Sequence, residues 1–425
     1  MTTPAPAVDD AAAHPWPDPR GAFLFFLAFA AIGGGMAQLV PAVLTLSLKA
    51  AQLDPDRETT ILSIAVGVGA VFALVAAPVF GRLSDRITWR TGRRRPLLVL
   101  GAVLYLVGAP IMYAAPDVAV LTAGTIVTMV GVSAVTVACT AVLADQYPPE
   151  RRGPASALVG LGLPVGAVVG LFLAQLVSAS LLAQFLVPAL VASAAAILLT
   201  LRLDDRVIDR AEVPHRGARD FFGTFWVNPV RHPSFGFAWA SRLLLFFGVA
   251  SVQAYQAFYL IREMGYSTLD VSGAVFASTL VMTVMALAFA ALFGRVSDRV
   301  GRRKPFVVAA AVIFAVGLVL VTAAETFPAF LGAMAVVGVG QGVYMAVDLA
   351  LVSEVLPDQN DIAKDMGIMW LASSLPNSIV PAVAPALLAI GAGAAGAQNF
   401  PALFLAGAAA ALLGALLILP IRGTR

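Results

Sequence analysis

Long apolar runs dominate the chain and leave few choices of fold. A helix needs about 20 apolar residues to cross the hydrocarbon core of a bilayer. Twelve runs of about that length occur, at residues 21–46, 59–81, 96–115, 118–143, 154–178, 181–201, 233–261, 270–294, 305–323, 327–354, 362–390 and 399–420. Only 12% of the residues are charged, against about 25% in soluble domains. The pattern therefore predicts an all-α membrane protein with twelve transmembrane helices.

Basic residues between the runs predict the orientation. Arginines cluster after the second, fourth, sixth and eighth runs, whereas the opposite loops hold only Lys49, Arg57 and Arg262. Loops rich in Lys and Arg stay cytoplasmic, and an even number of spans puts both termini on one side. We therefore expect cytoplasmic termini in a plasma membrane, the inner membrane of a bacterium. The net charge of +3 is interpreted as a topology signal and not as affinity for nucleic acid.

The polar segments are too short to hold a catalytic domain. They suggest a cytoplasmic tail (1–20), a six-helix bundle (21–201), a linker with an interfacial helix (202–232), a second bundle (233–421) and a cytoplasmic end (422–425). A G-x-x-x-x-G-K-[ST] loop, which would bind ATP phosphates, does not occur in the sequence. We expect no enzyme activity, no cofactor and, with three histidines and one cysteine, no metal site.

An internal repeat relates the two groups of six runs. Residues 81–86 read GRLSDR and residues 92–96 read GRRRP, while residues 294–299 read GRVSDR and residues 301–305 read GRRKP. The first copy has four more residues between its two parts than the second. Two six-helix halves related in this way are typical of secondary transporters.

The register of the repeat continues beyond the loop. Gly301 lies 209 residues after Gly92, and Glu354 lies 209 residues after Asp145. The pattern G-x-x-[SA]-D-R with a following G-R-[RK] resembles the signature loop of the major facilitator superfamily. Its longer first copy is similar to the loops of glycoside–pentoside–hexuronide and sucrose symporters. The resemblance implies alternating access, with spans one, four, seven and ten lining a central cavity.

The loop residues form a candidate cytoplasmic gate. Glycines at its start leave room for close helix packing, and its aspartates can accept from N–H groups at a neighbouring helix N-terminus. The resemblance implies that these N-termini open spans eleven and five. It also implies that Arg93 pairs with Asp145 and Asp85, and Arg302 with Glu354 and Asp298. The full set is Gly81, Asp85, Arg86, Arg93, Asp145, Gly294, Asp298, Arg299, Arg302 and Glu354.

Two charged residues, Arg242 and Asp348, lie inside apolar runs. A charge at the bilayer centre costs roughly 2.5–3.5 kcal/mol on insertion scales, so each needs a partner or water. At ~1.5 Å per residue they lie about 13 and 9 Å deep from the cytoplasmic side, which allows an ion pair. We interpret Asp348 as the coupling carboxylate and Arg242 as its counter-charge; a purely structural pair is the alternative.

Polar residues on the same helix faces predict the solute cavity. The candidates are Gln253, Gln256, Gln341, Tyr344, Gln38, Asn377 and Trp370. The Leu-Pro steps at Pro164 and Pro376 are predicted to bend their helices. Two further cavity candidates, Thr136 and Thr140, could equally well only bond neighbouring helices.

Three functions fit these observations. The first is transport of a small organic solute by a monomer, coupled to a cation and in particular to H⁺, with sugars or glycosides as the favoured solutes. The second is H⁺-driven efflux of an apolar drug or metabolite, favoured by how few polar residues line the predicted cavity. The third is a membrane sensor or assembly factor that uses the same fold without transport.

Overall fold

The computed structural model describes residues 22–148, 151–205, 232–301, 303–355, 362–391 and 398–421, without the side chains of residues 298, 349–350, 353–355 and 362–364. Twelve helices in this part of the chain are long and apolar enough to cross a membrane, as predicted. They are α1 (Phe23–Leu53), α2 (Glu58–Arg86), α3 (Arg95–Ala114), α4 (Val118–Gln146), α5 (Arg152–Leu176), α6 (Leu181–Arg202), α7 (Pro233–Arg262), α8 (Val271–Val300), α9 (Lys304–Thr322), α10 (Phe327–Val355), α11 (Asp365–Leu388) and α12 (Phe400–Ile418).

Three of these helices are interrupted near prolines. Helix α1 contains a π-helical turn at Pro41–Thr45, and α5 breaks between Gly160 and Gly162. Helix α11 divides between Ser374 and Pro376. Proline removes a backbone donor and clashes with the preceding turn. The predicted breaks in α5 and α11 are therefore confirmed.

The two sets of six helices repeat one packing scheme. In the first, α1 packs on α5 and α6, while α3 packs on α4 and α6. The equivalent contacts in the second are α7 with α11 and α12, and α9 with α10 and α12. The sets meet through α2 with α11 and α5 with α8, so the molecule has approximate twofold symmetry.

Glycines bring equivalent helices together at the predicted offset of 209 residues. A methyl group at Gly131 would lie 2.9 Å from Cβ of Leu104, and one at Gly340 would lie 2.5 Å from the backbone nitrogen of Phe314. Small residues allow such close approach between membrane helices. The α3–α4 and α9–α10 contacts therefore depend on matched glycines.

Contacts between the halves close one end of the molecule, which we call the loop face because α1 and α2 are joined there. Nε of Arg262 donates to Oε1 of Glu58 over 2.7 Å, and Glu58 is buried. The hydroxyls of Ser63 and Tyr255 lie 2.7 Å apart. We call the opposite end, where α1 begins and α12 ends, the termini face.

The proposed domain boundaries remain predictions. The tail (1–20), the end (422–425) and most of the linker, including its predicted interfacial helix, lie outside the described residues.

Two glycines of α10 give a matched test of this packing. Gly340→Ala should lower the melting temperature, because the added methyl group would strike the α9 backbone. Gly332 meets no atom within 4 Å, so Gly332→Ala should raise stability by about 0.5–1 kcal/mol through lower chain entropy. Thermal unfolding of both variants in detergent is the measurement. Shifts of the same sign would contradict the packing described.

Candidate functional site

A cavity of about 450 Å³ lies between the two halves. Its wall is built from α1, α4, α5, α7, α8, α10 and α11. The volume lies within the range of about 300–1,000 Å³ that small-molecule sites occupy. All side chains that line it, in the part of the chain that the structure describes, are uncharged. This chamber, which we call the polar chamber, therefore suits a neutral ligand.

Five predicted cavity residues line the polar chamber: Gln38, Gln253, Gln341, Trp370 and Asn377. Together they present four amides, each with donor and acceptor groups, and one large aromatic ring. The side-chain oxygen of Gln341 is buried and has no hydrogen-bond partner. A buried acceptor without a partner costs about 1–3 kcal/mol, and a ligand donor would relieve that cost.

Two other predicted cavity residues, Gln256 and Tyr344, do not line the chamber. Gln256 is buried between α7 and α8, where it donates to Thr279 over 3.3 Å and accepts from Ser278 over 3.1 Å. Tyr344 is buried and contacts Phe246 edge to face. Helical periodicity gave the correct helices but not the neighbour that each side chain meets, and both assignments to the cavity wall are therefore wrong.

The ion pair expected inside the membrane is present. Nη1 of Arg242 lies 3.0 Å from Oδ2 of Asp348, and the two side chains are 13% and 10% exposed. Tyr344 hydrogen-bonds to Asp348, and the guanidinium carbon of Arg242 lies 5.8 Å from the ring centre of Phe246. Phe246 belongs to the chamber wall. The pair therefore lies behind this wall and not on its surface.

A second compartment of about 600 Å³ continues from the polar chamber between α2, α4 and α11. Both spaces share Gln38, Thr136, Thr140, Trp370 and Asn377. We call the new space the apolar compartment. Its wall extends to Ala144, an exposed residue less than one turn from the end of α4. The combined cavity therefore reaches the termini face.

Several lining residues were missed by sequence reasoning, among them Thr279 and Thr283 of α8. Their spacing of four places them on one helix face, which was a usable signal. Phe246 and Met345 carried no such signal, because apolar residues also cover the lipid side of every helix.

The basic loop of the first half forms a cluster of ion pairs. Arg93 contacts Asp145 over 2.5 Å, as the resemblance implied. Arg94, and not Arg93, contacts Asp85, over 3.0 Å, and also contacts Asp145 over 2.8 Å. Arg94 directly precedes α3, so its side chain reaches back to the end of α2. The described partner of Asp85 is therefore Arg94, and the expected pairing with Arg93 is corrected.

Another carboxylate caps α3. Asp205 accepts from the backbone N–H groups of Arg94 and Arg95 over 2.7 and 2.8 Å, which suits the positive end of a helix dipole. Gly92 allows this approach: its φ is +96°, and a methyl group there would overlap Asp205. We expected Asp85 to accept hydrogen bonds from N–H groups at a helix N-terminus. At the N-terminus of α3, Asp205 accepts such bonds.

The expectation of close packing at the loop glycines is wrong. A methyl group at Gly81 or Gly294 would meet no atom within 4 Å. Near the loop face α2 does touch the other half, where a methyl group at Gly67 would lie 3.3 Å from Pro381. At the termini face the cavity separates the same helices.

The remaining gate candidates give less information. Arg86 and Arg299 belong to the ends of α2 and α8, and Arg299 is exposed. The side chains of Asp298 and Glu354, and all of Arg302, lie outside the described residues. Within the described chain, no cluster of three or more His, Cys, Asp or Glu residues could hold a metal ion.

Three solved structures share the fold. A bacterial homologue of the human lysosomal transporter Spinster, inward-facing and unoccupied, is 15% identical with a TM-score of 0.67, over 96% of this chain and 95% of that one. A mutant of the nucleoside transporter NupG is 11% identical with a TM-score of 0.70, over 94% and 100%. The human organic anion transporter MFSD10 (TETRAN) is 16% identical with a TM-score of 0.65, over 95% and 99%.

Curated protein sequences give no match to this chain. The family profile described as Major Facilitator Superfamily matches residues 20–293 and 278–425. These matches cover the twelve helices and both copies of the loop. The chain therefore belongs to the Major Facilitator Superfamily, whose members are transporters.

Proposed function

We propose that this protein is an H⁺-coupled secondary transporter that moves a small neutral organic solute by alternating access. The observation that carries the proposal is a charge-free, amide-lined chamber between two symmetric halves, with a buried ion pair behind its wall. A sugar or glycoside symporter fits best, following the likeness of the first loop to the glycoside–pentoside–hexuronide and sucrose symporters. The monomer would act in a bacterial inner membrane with both termini cytoplasmic.

The cavity supports alternating access because its two ends differ. At the loop face, the Glu58–Arg262 and Ser63–Tyr255 contacts join the halves, while the cavity reaches the termini face. With cytoplasmic termini this arrangement is an inward-facing state. The outward-facing state would require these loop-face contacts to break and the halves to close at the termini face.

The ion pair supports proton coupling. Asp348 is buried and has one described cationic partner, Arg242. Protonation of Asp348 would remove the counter-charge of Arg242, whose guanidinium faces the Phe246 ring. Because Phe246 is part of the chamber wall, a change in the pair can reach the solute through this side chain. Asp348 would then carry the proton, and Arg242 would sense its presence.

Efflux of an apolar metabolite or drug is the second candidate. The apolar compartment favours it, because its wall consists mostly of Ala, Val, Leu and Met side chains. Purified protein in proteoliposomes with a pH indicator separates the alternatives. Solute-dependent proton movement in the same direction as the solute supports symport, and movement in the opposite direction supports efflux. Absence of any solute-dependent flux across a sugar and amine panel would favour the non-transporting reading.

Asp348→Asn should abolish gradient-driven accumulation while solute binding and exchange persist. An amide keeps the size of the carboxylate but cannot carry a proton. Counterflow and uptake under an imposed pH gradient are the measurements. Glu325→Gln, a change at an exposed residue between α9 and α10, is the matched control and should behave as wild type. Accumulation by Asp348→Asn would assign coupling to another residue.

Arg242→Ala should lower both transport and thermal stability. Removing one partner of a buried pair leaves an uncompensated charge and costs about 3–5 kcal/mol. Arg242→Ala combined with Asp348→Asn should recover stability but not coupled transport. The expected non-additivity is about 0.5–3 kcal/mol, obtained from melting curves of the three variants. Strictly additive losses of stability would show that Arg242 and Asp348 have no interaction free energy.

Glu58→Ala combined with Tyr255→Phe should open the loop face. The double change removes the ion pair and the hydroxyl contact between the halves. A reporter, Ala42→Cys in a Cys139→Ala background, should then react faster with a membrane-impermeant maleimide added at the loop face. Unchanged labelling would mean that other contacts hold this face closed.

A further inference from the structure

The two halves present chemically different walls to the shared cavity. The wall from the second half is polar: Gln253 and Gln341 contribute amides, and Thr279 and Thr283 contribute hydroxyls. The buried oxygen of Gln341 has no partner. This side can therefore accept hydrogen bonds from a ligand.

Beyond Gln38, Thr136 and Thr140, which also line the polar chamber, the wall from the first half is mostly apolar. Helices α2 and α4 line the apolar compartment with Val66, Ala70, Ala73, Leu74, Ala77, Met129, Val132, Ser133, Val137, Ala141 and Ala144, apart from the residues shared with the polar chamber. The one hydroxyl in that set, on Ser133, lies within hydrogen-bond distance of the backbone carbonyls of Ala73 and Met129, at 3.0 and 3.1 Å. A ligand group in this space meets mostly methyl and methylene surface, with polar groups only on the side shared with the polar chamber.

The internal repeat shows that this difference lies in the side chains. Thr279 and Thr283 of α8 follow Val66 and Ala70 of α2 by 213 residues, the offset of the two GR-x-SDR copies. Gln341 of α10 follows Val132 of α4 by 209 residues, the offset of the later repeat. At these three positions the second half carries a polar group where the first half carries an apolar one, whereas Thr136 of the first half corresponds to Met345 of the second.

The same comparison shows that the equivalent helix pairs pack through different residues. In the second half, Gly338 and Gly342 of α10 meet the backbone of α8 at Met282 and Ala286, and a methyl group at either glycine would overlap it. Their equivalents in α4, at the 209-residue offset, are Met129 and Ser133. These larger side chains contact α2 directly, since the Ser133 hydroxyl lies 3.0 Å from the carbonyl oxygen of Ala73, and the apolar compartment lies beside this contact, between α2, α4 and α11.

We propose that the solute is amphipathic, with a neutral hydrogen-bonding head in the polar chamber and an apolar ring or short chain in the apolar compartment. This inference rests on the proposed transport function and narrows its substrate class. An aryl or alkyl glycoside fits both walls, whereas a free sugar would leave the compartment unused. Hydrophobic burial of the apolar group would supply affinity in proportion to the area removed from water.

Binding of two glucosides to the full chain in lipid nanodiscs tests the proposal. The probes are methyl β-D-glucoside and 2-naphthyl β-D-glucoside, which share a head and differ in the apolar group. The naphthyl compound should bind at least about tenfold more tightly, a difference of ~1.4 kcal/mol. Equal affinities, or no binding of the naphthyl compound, would overturn the inference.

Two variants locate the apolar group. Ala77→Leu with Ala141→Leu fills the compartment and should remove most of the naphthyl advantage while methyl glucoside binding stays unchanged. Ala291→Leu makes one such change at an exposed site on α8 that lines neither space, and it should leave both affinities as in wild type. Unfolding curves verify that the filled variant is folded.

A second change avoids added bulk altogether. Val66→Thr with Ala70→Ser gives the first half the polar character of the second and should weaken naphthyl glucoside binding about three- to tenfold, as burial of a hydroxyl without a partner predicts. Naphthyl affinity within twofold of wild type in both double variants would overturn the apolar subsite.

The binding assay uses no gradient, so it separates this inference from the proposed function. Compartment-dependent binding without proton-coupled flux would retain the subsite and reject the transport proposal. Proton-coupled transport of methyl glucoside with no naphthyl advantage would retain the transport proposal and reject the subsite.

Discussion

The whole architecture depends on the requirement that backbone polar groups in a bilayer be satisfied within the protein. Each helix satisfies its backbone groups through its own hydrogen bonds. In lipid, helices then associate through close packing and not through removal of apolar surface from water. Gly131 and Gly340 illustrate the result, since each allows the neighbouring helix to approach so closely that a methyl group would clash. Under the proposed alternating access, packing of this kind would keep each half together while the interface between the halves changes.

The contacts between the halves combine close packing, as at Gly67 and Pro381, with polar contacts. Glu58, Arg262, Ser63 and Tyr255 join them through polar side chains at the loop face. Under the proposed alternating access, such polar contacts would be exchanged for water when that face opens, while the glycine contacts inside each half would stay closed.

Much of this was predictable from sequence because the signals were strong. Twelve apolar runs predicted the twelve helices, and a repeat whose offset changes only at the four-residue insertion predicted the symmetric packing. The Arg242–Asp348 pair followed from the cost of isolated charges in a bilayer. Gln256 and Tyr344 were misplaced because periodicity identifies a helix face but not the residue opposite it. The expectation for Gly81 and Gly294 failed for another reason: near the termini face no atom lies within 4 Å of a methyl group added at either position.

The loop cluster shows how small such errors can be. Arg93 and Arg94 are adjacent, and both reach Asp145. The choice of which one meets Asp85 follows from where α3 begins, and that start is set by the Asp205 cap. Asp205 is more than 100 residues away in sequence, and its contact with the loop left no local pattern to detect.

The neutrality of the Arg242–Asp348 pair has an electrical consequence. While both groups are charged, the pair adds no net charge to the moving parts, and the membrane potential exerts no net force on it. Uptake of one proton by Asp348 would leave a charge of +1 on the same site. Each elementary charge that crosses the full field gains ~2.3 kcal/mol per 100 mV. Under the proposed coupling, the membrane potential would therefore exert a force on the site when Asp348 is protonated. It would exert no net force on the site when Asp348 is deprotonated, so that conformational change would not depend on voltage through this pair.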